Sequence, residues 1–250
     1  MKILGIIPAR YASSRFPGKP LVKIGNKTMI QRVYLQSTKT LDYVVVATDD
    51  QRIFDEIKRF NGQVVMTSEN HQSGTDRCME ALEIFEKESG EKFDVVINIQ
   101  GDEPFIQPEQ IKILADSFTD EITEISTLIK KITEPEVIFD PNRPKVIKNV
   151  NNEAIYFSRS AIPYVRNTEK KNWLNQFTYY MHIGLYAYRS DILRKITQLL
   201  PSSLEIAESL EQNRWLENGF KIRVLETEHE NVSIDTQEDL DKVLKQGFFD

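Results

Sequence analysis

Four short apolar runs, spaced through the first hundred residues and separated by stretches of helical periodicity, constrain this chain more than any other feature. They are Ile3-Leu4-Gly5-Ile6-Ile7, Asp42-Tyr43-Val44-Val45-Val46-Ala47-Thr48, Gln63-Val64-Val65-Met66 and Asp94-Val95-Val96-Ile97-Asn98-Ile99-Gln100. Runs this short and this continuously apolar suit strands covered on both faces. Between the second and third runs, residues 50–60 set Ile53, Phe54, Ile57 and Phe60 on one helical face and stop at Asn61-Gly62. Residues 75–86 space Cys78, Ala81, Leu82 and Phe85 at i, i+3, i+4 and i+7, and Pro108 opens a helix with Ile111, Leu114, Ala115 and Phe118 inward. Strands alternating with helices of this length predict the α/β class: a mainly parallel, Rossmann-like sheet with helices on both faces.

From about 123 to 190 the pattern changes. Strands are expected at 125–130, 145–150, 154–157 and 177–188, interrupted by Pro141-Asn142-Arg143-Pro144 and Ile162-Pro163. This stretch reads as a smaller mixed-sheet insertion within a single domain covering 1–250. A last strand is expected at 220–225. Thr236-Gln237-Glu238-Asp239 then resembles a capping box, opening a helix with Leu240, Val243 and Leu244 inward.

Composition removes several function classes. One cysteine, Cys78, permits no intrachain disulfide and no Cys₄ or Cys₂His₂ zinc site, which points to a reducing cytoplasm. No apolar run approaches the ~18 residues of a membrane span, and the first run is too short for a signal-peptide core. Neither a membrane nor a nucleic-acid partner is expected, since the net charge is −6. The charge is unevenly placed. Residues 1–41 carry eight basic side chains and no acid, so the other 209 residues total −14. That asymmetry suits either a local site for a small polyanion or a solvated basic face.

Ligands of open parallel sheets bind at the carboxyl ends of the strands. Here those ends read Pro8-Ala9-Arg10, Thr48-Asp49-Asp50 and Gln100-Gly101-Asp102. The loop from Pro8 to Leu21 has neither G-x-G-x-x-G nor a Walker A pattern. It offers Arg10, Arg15 and Lys19, the hydroxyls of Ser13 and Ser14, and a Pro17-Gly18 turn. Such a loop can wrap a triphosphate, or be a basic surface loop. Asp102 at a strand exit is placed for Mg²⁺, or belongs to a turn. Asp235 is a second isolated aspartate, or an ordinary residue at a helix start. Ser73-Gly74-Thr75-Asp76-Arg77 opens a helix and suits an anion or sugar hydroxyl, or simple capping. His182 alone reads as a structural histidine, and residues 210–215 as an amphipathic helix with Glu211 and Gln212 solvated. No Ser/His/Asp or Cys/His nucleophile set can be assembled. Cations, hydroxyls and two aspartates suit phosphoryl or nucleotidyl transfer.

Taken together, IPARYASSRFPGKPL, VVVATDD, VVMTSENHQSGTDR, VVINIQGDEP, AIYFSRSAIPY, HIGLYAYR, SLEIAESLEQNRWLENG and IDTQEDL resemble the 3-deoxy-manno-octulosonate (Kdo) cytidylyltransferases, in order along nearly the whole chain. The first block is shared with other sugar-acid cytidylyltransferases, whereas HQSGTDR, FSRSAIP and LEQNRWLENG are closer to the Kdo branch. The resemblance implies a nucleotidyltransferase that joins CTP and Kdo into CMP-Kdo and pyrophosphate for lipopolysaccharide assembly. It implies that Arg10, Arg15 and Lys19 hold the triphosphate of CTP, with Pro8, Ala9, Ser13 and Ser14 also nucleotide-binding. Ala47, Thr48, Asp49, Ser73, Gly74 and Thr75 would line its nucleoside side. Arg77, Gln100, Arg159, His182, Tyr186, Glu211 and Gln212 would surround the sugar acid, with Arg159 on its carboxylate. Asp102 and Asp235 would ligate Mg²⁺, making Lys19, Asp102 and Asp235 the catalytic set. A cytoplasmic homodimer is implied, with the strand bearing Tyr179, Tyr180, Tyr186 and Tyr188 a candidate interface. Phe16, Ser160, Ser233 and Gln237 depart from the usual pattern and leave room for a near analogue such as 8-amino-Kdo. Transfer to another acidic sugar, a non-catalytic nucleotide sensor and a nucleic-acid module are the competing readings.

Overall fold

In a computed structural model, which describes residues 1–12, 16–71, 73–230 and 233–247 (the side chain of Gln246 excepted), the four apolar runs pair as parallel strands. They are Ile3–Ala9, Tyr43–Thr48, Val64–Met66 and Val95–Asn98. Ile3–Ala9 is flanked by Val95–Asn98 on one side and Tyr43–Thr48 on the other, and Val64–Met66 pairs with Tyr43–Thr48. Continuous apolarity is explained by burial on both faces: Leu4, Ile6, Ile7, Val45, Val46, Val95, Val96 and Ile97 have no solvent exposure. Helices Gln51–Arg59 and Gly74–Ser89 pack against these strands. The expected inward residues Ile53, Ile57, Cys78, Ala81 and Leu82 are all fully buried.

The chain divides into two compact units. One joins residues 1–115 to 231–250, and the other is 116–230. The stretch expected as an insertion, 123–190, lies inside the second. In the first, the returning segment places Ile234, Leu240 and Val243 in one cluster with Ile24 and Met29. Leu244 is exposed instead of inward, because the helix Gln237–Gln246 turns it away from that cluster.

The second unit has a mixed sheet. Tyr180–Arg189 runs antiparallel to Ile125–Lys131 and to Lys145–Lys148, which in turn pairs antiparallel with Ala154–Ser158. Ile222–Glu226 lies parallel to Ile125–Lys131. Of the four tyrosines on the candidate interface strand, Tyr180 is half-buried and the other three pack within the unit. Tyr179, Tyr186 and Tyr188 are buried, Tyr179 stacked on Trp173 and the other two edge-on to Trp215. The strand starts at Tyr180 and leaves Phe177 exposed.

Several helices escaped the sequence reading: Met29–Ser37, Pro135–Phe139, Ser190–Ile196 and Ser203–Glu208, the first being the longest. The nine residues of Met29–Ser37 include Arg32 on the inner side, where Nε donates to the Ile24 carbonyl at 2.8 Å. A buried arginine breaks the apolar stripe that periodicity relies on.

Candidate active site

The loop leaving the first strand is fixed at both ends. Gly18 has φ of 73°, a left-handed conformation that favours glycine, and its N–H donates to the Tyr11 carbonyl at 2.9 Å. The Tyr11 ring lies beneath the Arg52 guanidinium, 3.2 Å from ring centroid, and Asp50 holds Arg52 through two hydrogen bonds. A short 3₁₀ turn, Lys19–Leu21, starts after Gly18 and includes the buried Pro20.

Lys19 Nζ then donates to Asp102 Oδ2 at 2.7 Å and to Asp235 Oδ1 at 3.0 Å. Burial works against this ammonium, but the charge and hydrogen bonds of Asp102, then of Asp235, outweigh it and raise its pKa above the usual lysine value. Two backbone features bring the carboxylates together. Gly101 sits so close to the first strand that a Cβ there would lie 2.7 Å from the Pro8 carbonyl oxygen. The Ile234 N–H donates to the Asp102 carbonyl at 3.1 Å, tying the C-terminal segment to this strand exit. Thr236 and Asp239 cap the following helix, and Asp239 also accepts from the Asp235 N–H.

These groups line a cavity of about 490 Å³, within the range of small-molecule sites. Pro8, Ala9, Arg10, Lys19, Ser73, Gly74, Arg77, Gln100, Gly101, Asp102 and Asp235 form its walls. Ser73 caps the helix Gly74–Ser89 by accepting from the Asp76 N–H, so capping and a cavity position coincide. Arg77 is only 1% exposed and is spent on Asp49 Oδ2 and Thr67 Oγ1, each at 2.6 Å. A cavity with cations, a helix N-terminus and two carboxylates can hold a polyphosphate together with a divalent cation.

The second unit carries its own polar cluster. Arg159 donates to the carbonyls of Glu208, Pro141 and Ser209 at 2.7, 3.0 and 3.2 Å. The Glu208 carboxylate accepts from Ser158 Oγ, the Arg159 N–H and Tyr156 OH. Burial alone would raise the pKa of Glu208; those hydrogen bonds outweigh it and lower it. His182 meets Thr127 Oγ1 at 3.0 Å, and burial lowers its pKa to about 3, so the ring is neutral. Tyr186 rests 5.2 Å from the His182 ring, and burial, then the charge of Glu211, raises its phenol pKa. Gln212, expected to be solvated, is buried, because the helix Gln212–Glu217 turns it inward beside Trp215. Gln212 Nε2 and Trp215 Nε1 have no hydrogen-bond partner among the described residues, and such buried donors suit a hydroxyl-bearing ligand.

A family model described as cytidylyltransferase matches residues 4–222. A curated 3-deoxy-manno-octulosonate cytidylyltransferase of Parabacteroides distasonis is 58% identical over 98% of this chain and 97% of its own. The chain belongs to the family of 3-deoxy-manno-octulosonate cytidylyltransferases. Fusobacterium nucleatum has another relative of that name, 47% identical over 98% of this chain and 96% of its own. A solved CMP:2-keto-3-deoxy-manno-octonic acid synthetase, complexed with CTP, superposes with a TM-score of 0.88 at 40% identity, covering 98% of both chains.

In this cytidylyltransferase the expected nucleotide residues separate into three groups. Pro8, Ala9, Arg10, Lys19, Ser73 and Gly74 share the cavity. Ala47, Thr48 and Thr75 are buried behind it and are not among its lining residues, and Asp49 reaches it only through Arg77. Ser13, Ser14 and Arg15 lie outside the described residues. Of the expected sugar-acid residues, Arg77 and Gln100 belong to the first unit, and Arg159, His182, Tyr186, Glu211 and Gln212 to the second. Sequence reasoning missed the Tyr11–Arg52 stack, Glu208 and Lys145. A lone lysine inside a strand pattern and a glutamate in a helix pattern carry no signal of their own.

Proposed function

We propose that this protein transfers CMP from CTP to the anomeric hydroxyl of Kdo and releases pyrophosphate. The family relationship supports the substrates. The observation that carries the catalytic reading is the convergence of Asp102 and Asp235 on one ammonium, although the two are far apart in the chain. Two carboxylates that share an ammonium face one cleft, where one or both can reach a small hard cation. Mg²⁺ takes one or two carboxylates and completes its shell with phosphate oxygens and water, so the donor set fits. No group of three or more His, Cys, Asp or Glu gathers among the described residues, so an all-protein cage is not on offer there. Asp102 and Asp235 would hold the ion, which when bound lowers the pKa of an attacking hydroxyl and neutralises phosphate charge.

The residues themselves do the rest. CTP brings about four negative charges and Kdo one, so their approach is repulsive without nearby cations. Arg10 and Lys19 face the cavity and balance charge that builds on the departing pyrophosphate. The anomeric oxygen bonds to the α-phosphorus as the α–β bridging bond breaks, and the hydroxyl proton leaves to solvent. In the second unit, Arg159 receives the carboxylate of the sugar acid, and Gln212 offers a free donor to a hydroxyl.

A cytoplasmic homodimer working in lipopolysaccharide assembly completes the reading. Among the described residues no helix is long and apolar enough to cross a membrane, and Cys78 is buried and in no disulfide.

The test is Asp102→Asn. Pyrophosphate release from CTP and Kdo with Mg²⁺ should fall by about 10²–10³-fold while CTP or Kdo binding partly survives. Near-normal turnover refutes the metal role. Turnover of 8-amino-Kdo or N-acetylneuraminate in preference to Kdo reassigns the sugar.

A further inference from the structure

Lys145 has no part in the reading above, yet it is fully buried in the second unit. Its ammonium has three protons, and one of them is donated to the Asp140 carbonyl at 2.7 Å. The next carbonyl along, that of Pro141, accepts from Arg159 Nη1 at 3.0 Å. Two cations therefore grip consecutive carbonyls of one turn. Burial, and then the charge of Arg159, act against the Lys145 ammonium; Asp140 and Glu208 act for it.

The carboxylates that face the two cations are already shared. Asp140 also faces Arg143 at 3.8 Å, and the Glu208 carboxylate accepts from Ser158 Oγ, Tyr156 OH and the Arg159 N–H. A buried ammonium beside a guanidinium, with only shared carboxylates near it, is relieved when a further anion joins them. The opening for that anion is at Arg159, whose guanidinium is partly exposed and has spent three of its five N–H groups on carbonyls.

We propose that Lys145 is a specificity and positioning residue, which makes the Arg159 site demand an anionic group, the carboxylate of the sugar acid, without touching that group. The inference rests on Arg159 receiving the substrate carboxylate. Its effect is on which substrate binds, not on the chemical step.

Lys145→Met keeps the side-chain shape and removes the charge, a change that buried sites often tolerate. Lys145→Gln also removes the charge but keeps a donor for the Asp140 carbonyl. Both variants should raise the KM for Kdo by roughly 3–10-fold and leave the KM for CTP within about twofold. An unchanged KM for Kdo in either variant overturns the inference; in Lys145→Gln it would show that only the tether matters. Should neither variant fold, the wild-type protein still decides. Inhibition by an unreactive Kdo analogue should be at least about 10-fold stronger than by its carboxamide, and equal inhibition overturns the inference. A wild-type protein that makes no CMP-Kdo refutes the proposed function itself, a separate outcome.

Discussion

Gly101→Ala tests the geometry on which the cavity depends. A Cβ at this position would lie 2.7 Å from the Pro8 carbonyl oxygen, closer than real Cβ atoms come to anything. The obstacle is backbone, so no side chain can swing away, and the two strand exits must part by about half an ångström or more. Their attachment resists this, with the Ile99 N–H donating to the Ile6 carbonyl at 2.9 Å just behind. Overpacking of this kind costs about 1–3 kcal/mol. For a chain of this length each kcal/mol moves the thermal midpoint by about 2–4 °C, so a fall of about 4–8 °C is expected at the middle of that range. Asp102 is the next residue and moves with the strand exit. Displacements near 1 Å cost up to about 10²-fold in rate, which sets the expected loss of turnover. Gly5→Ala is the control. Its Cβ would also meet an atom at 2.7 Å, but that atom is Leu41 Cδ1, the far end of a side chain. It should lower the midpoint and spare turnover measured well below it. Melting curves and pyrophosphate release on both variants decide the matter. Gly101→Ala with wild-type midpoint and wild-type turnover would refute the reasoning.

Asp49→Ala should strip the buried Arg77 of its carboxylate partner and cost about 3–5 kcal/mol in chemical unfolding, and a loss below about 1 kcal/mol would mean the pair is not structural. His182 supplies a pH dependence with a definite sign. Its folded pKa, about 3, lies below the unfolded value of 6.5, so its contribution is complete above pH 6.5 and is lost as pH falls toward 3. Between pH 7.5 and 5.5 the loss is on the order of 1 kcal/mol. His182→Gln should show a correspondingly shallower acid-side decline, and an identical decline in the variant rules His182 out as its source.

The parallel sheet was legible because burial on both faces forces a continuous apolar run, a signal local to each strand. Asp102 and Lys19 were legible because they follow strands and loops whose composition already departs from the ordinary. Asp235 was visible only as an aspartate before a helix, and what makes it part of the site is a hydrogen bond from Ile234 to a strand exit remote in sequence. Gln212 illustrates the opposite failure. A polar residue in an amphipathic pattern is read as solvated, whereas Tyr186, Tyr188 and Trp215 build an aromatic core that draws it in. Lys145 lay beyond any pattern, since its burial depends on a turn at Asp140 and a helix end at Glu208 that only tertiary structure brings near.

The first unit is assembled from the two ends of the chain, with residues 116–230 between its parts. During synthesis, Ile24 and Met29 must wait for Ile234, Leu240 and Val243, the residues that join them in one cluster. At ribosomal speeds of about 5–20 residues per second, the delay while residues 116–230 are made is on the order of ten seconds. Throughout it the nascent chain bears a sticky apolar patch and a lysine with one of its two acidic partners missing. Under the proposed function a growing polypeptide of this kind turns nothing over until the helix Gln237–Gln246 docks, and its exposed apolar surface makes it prone to aggregate meanwhile.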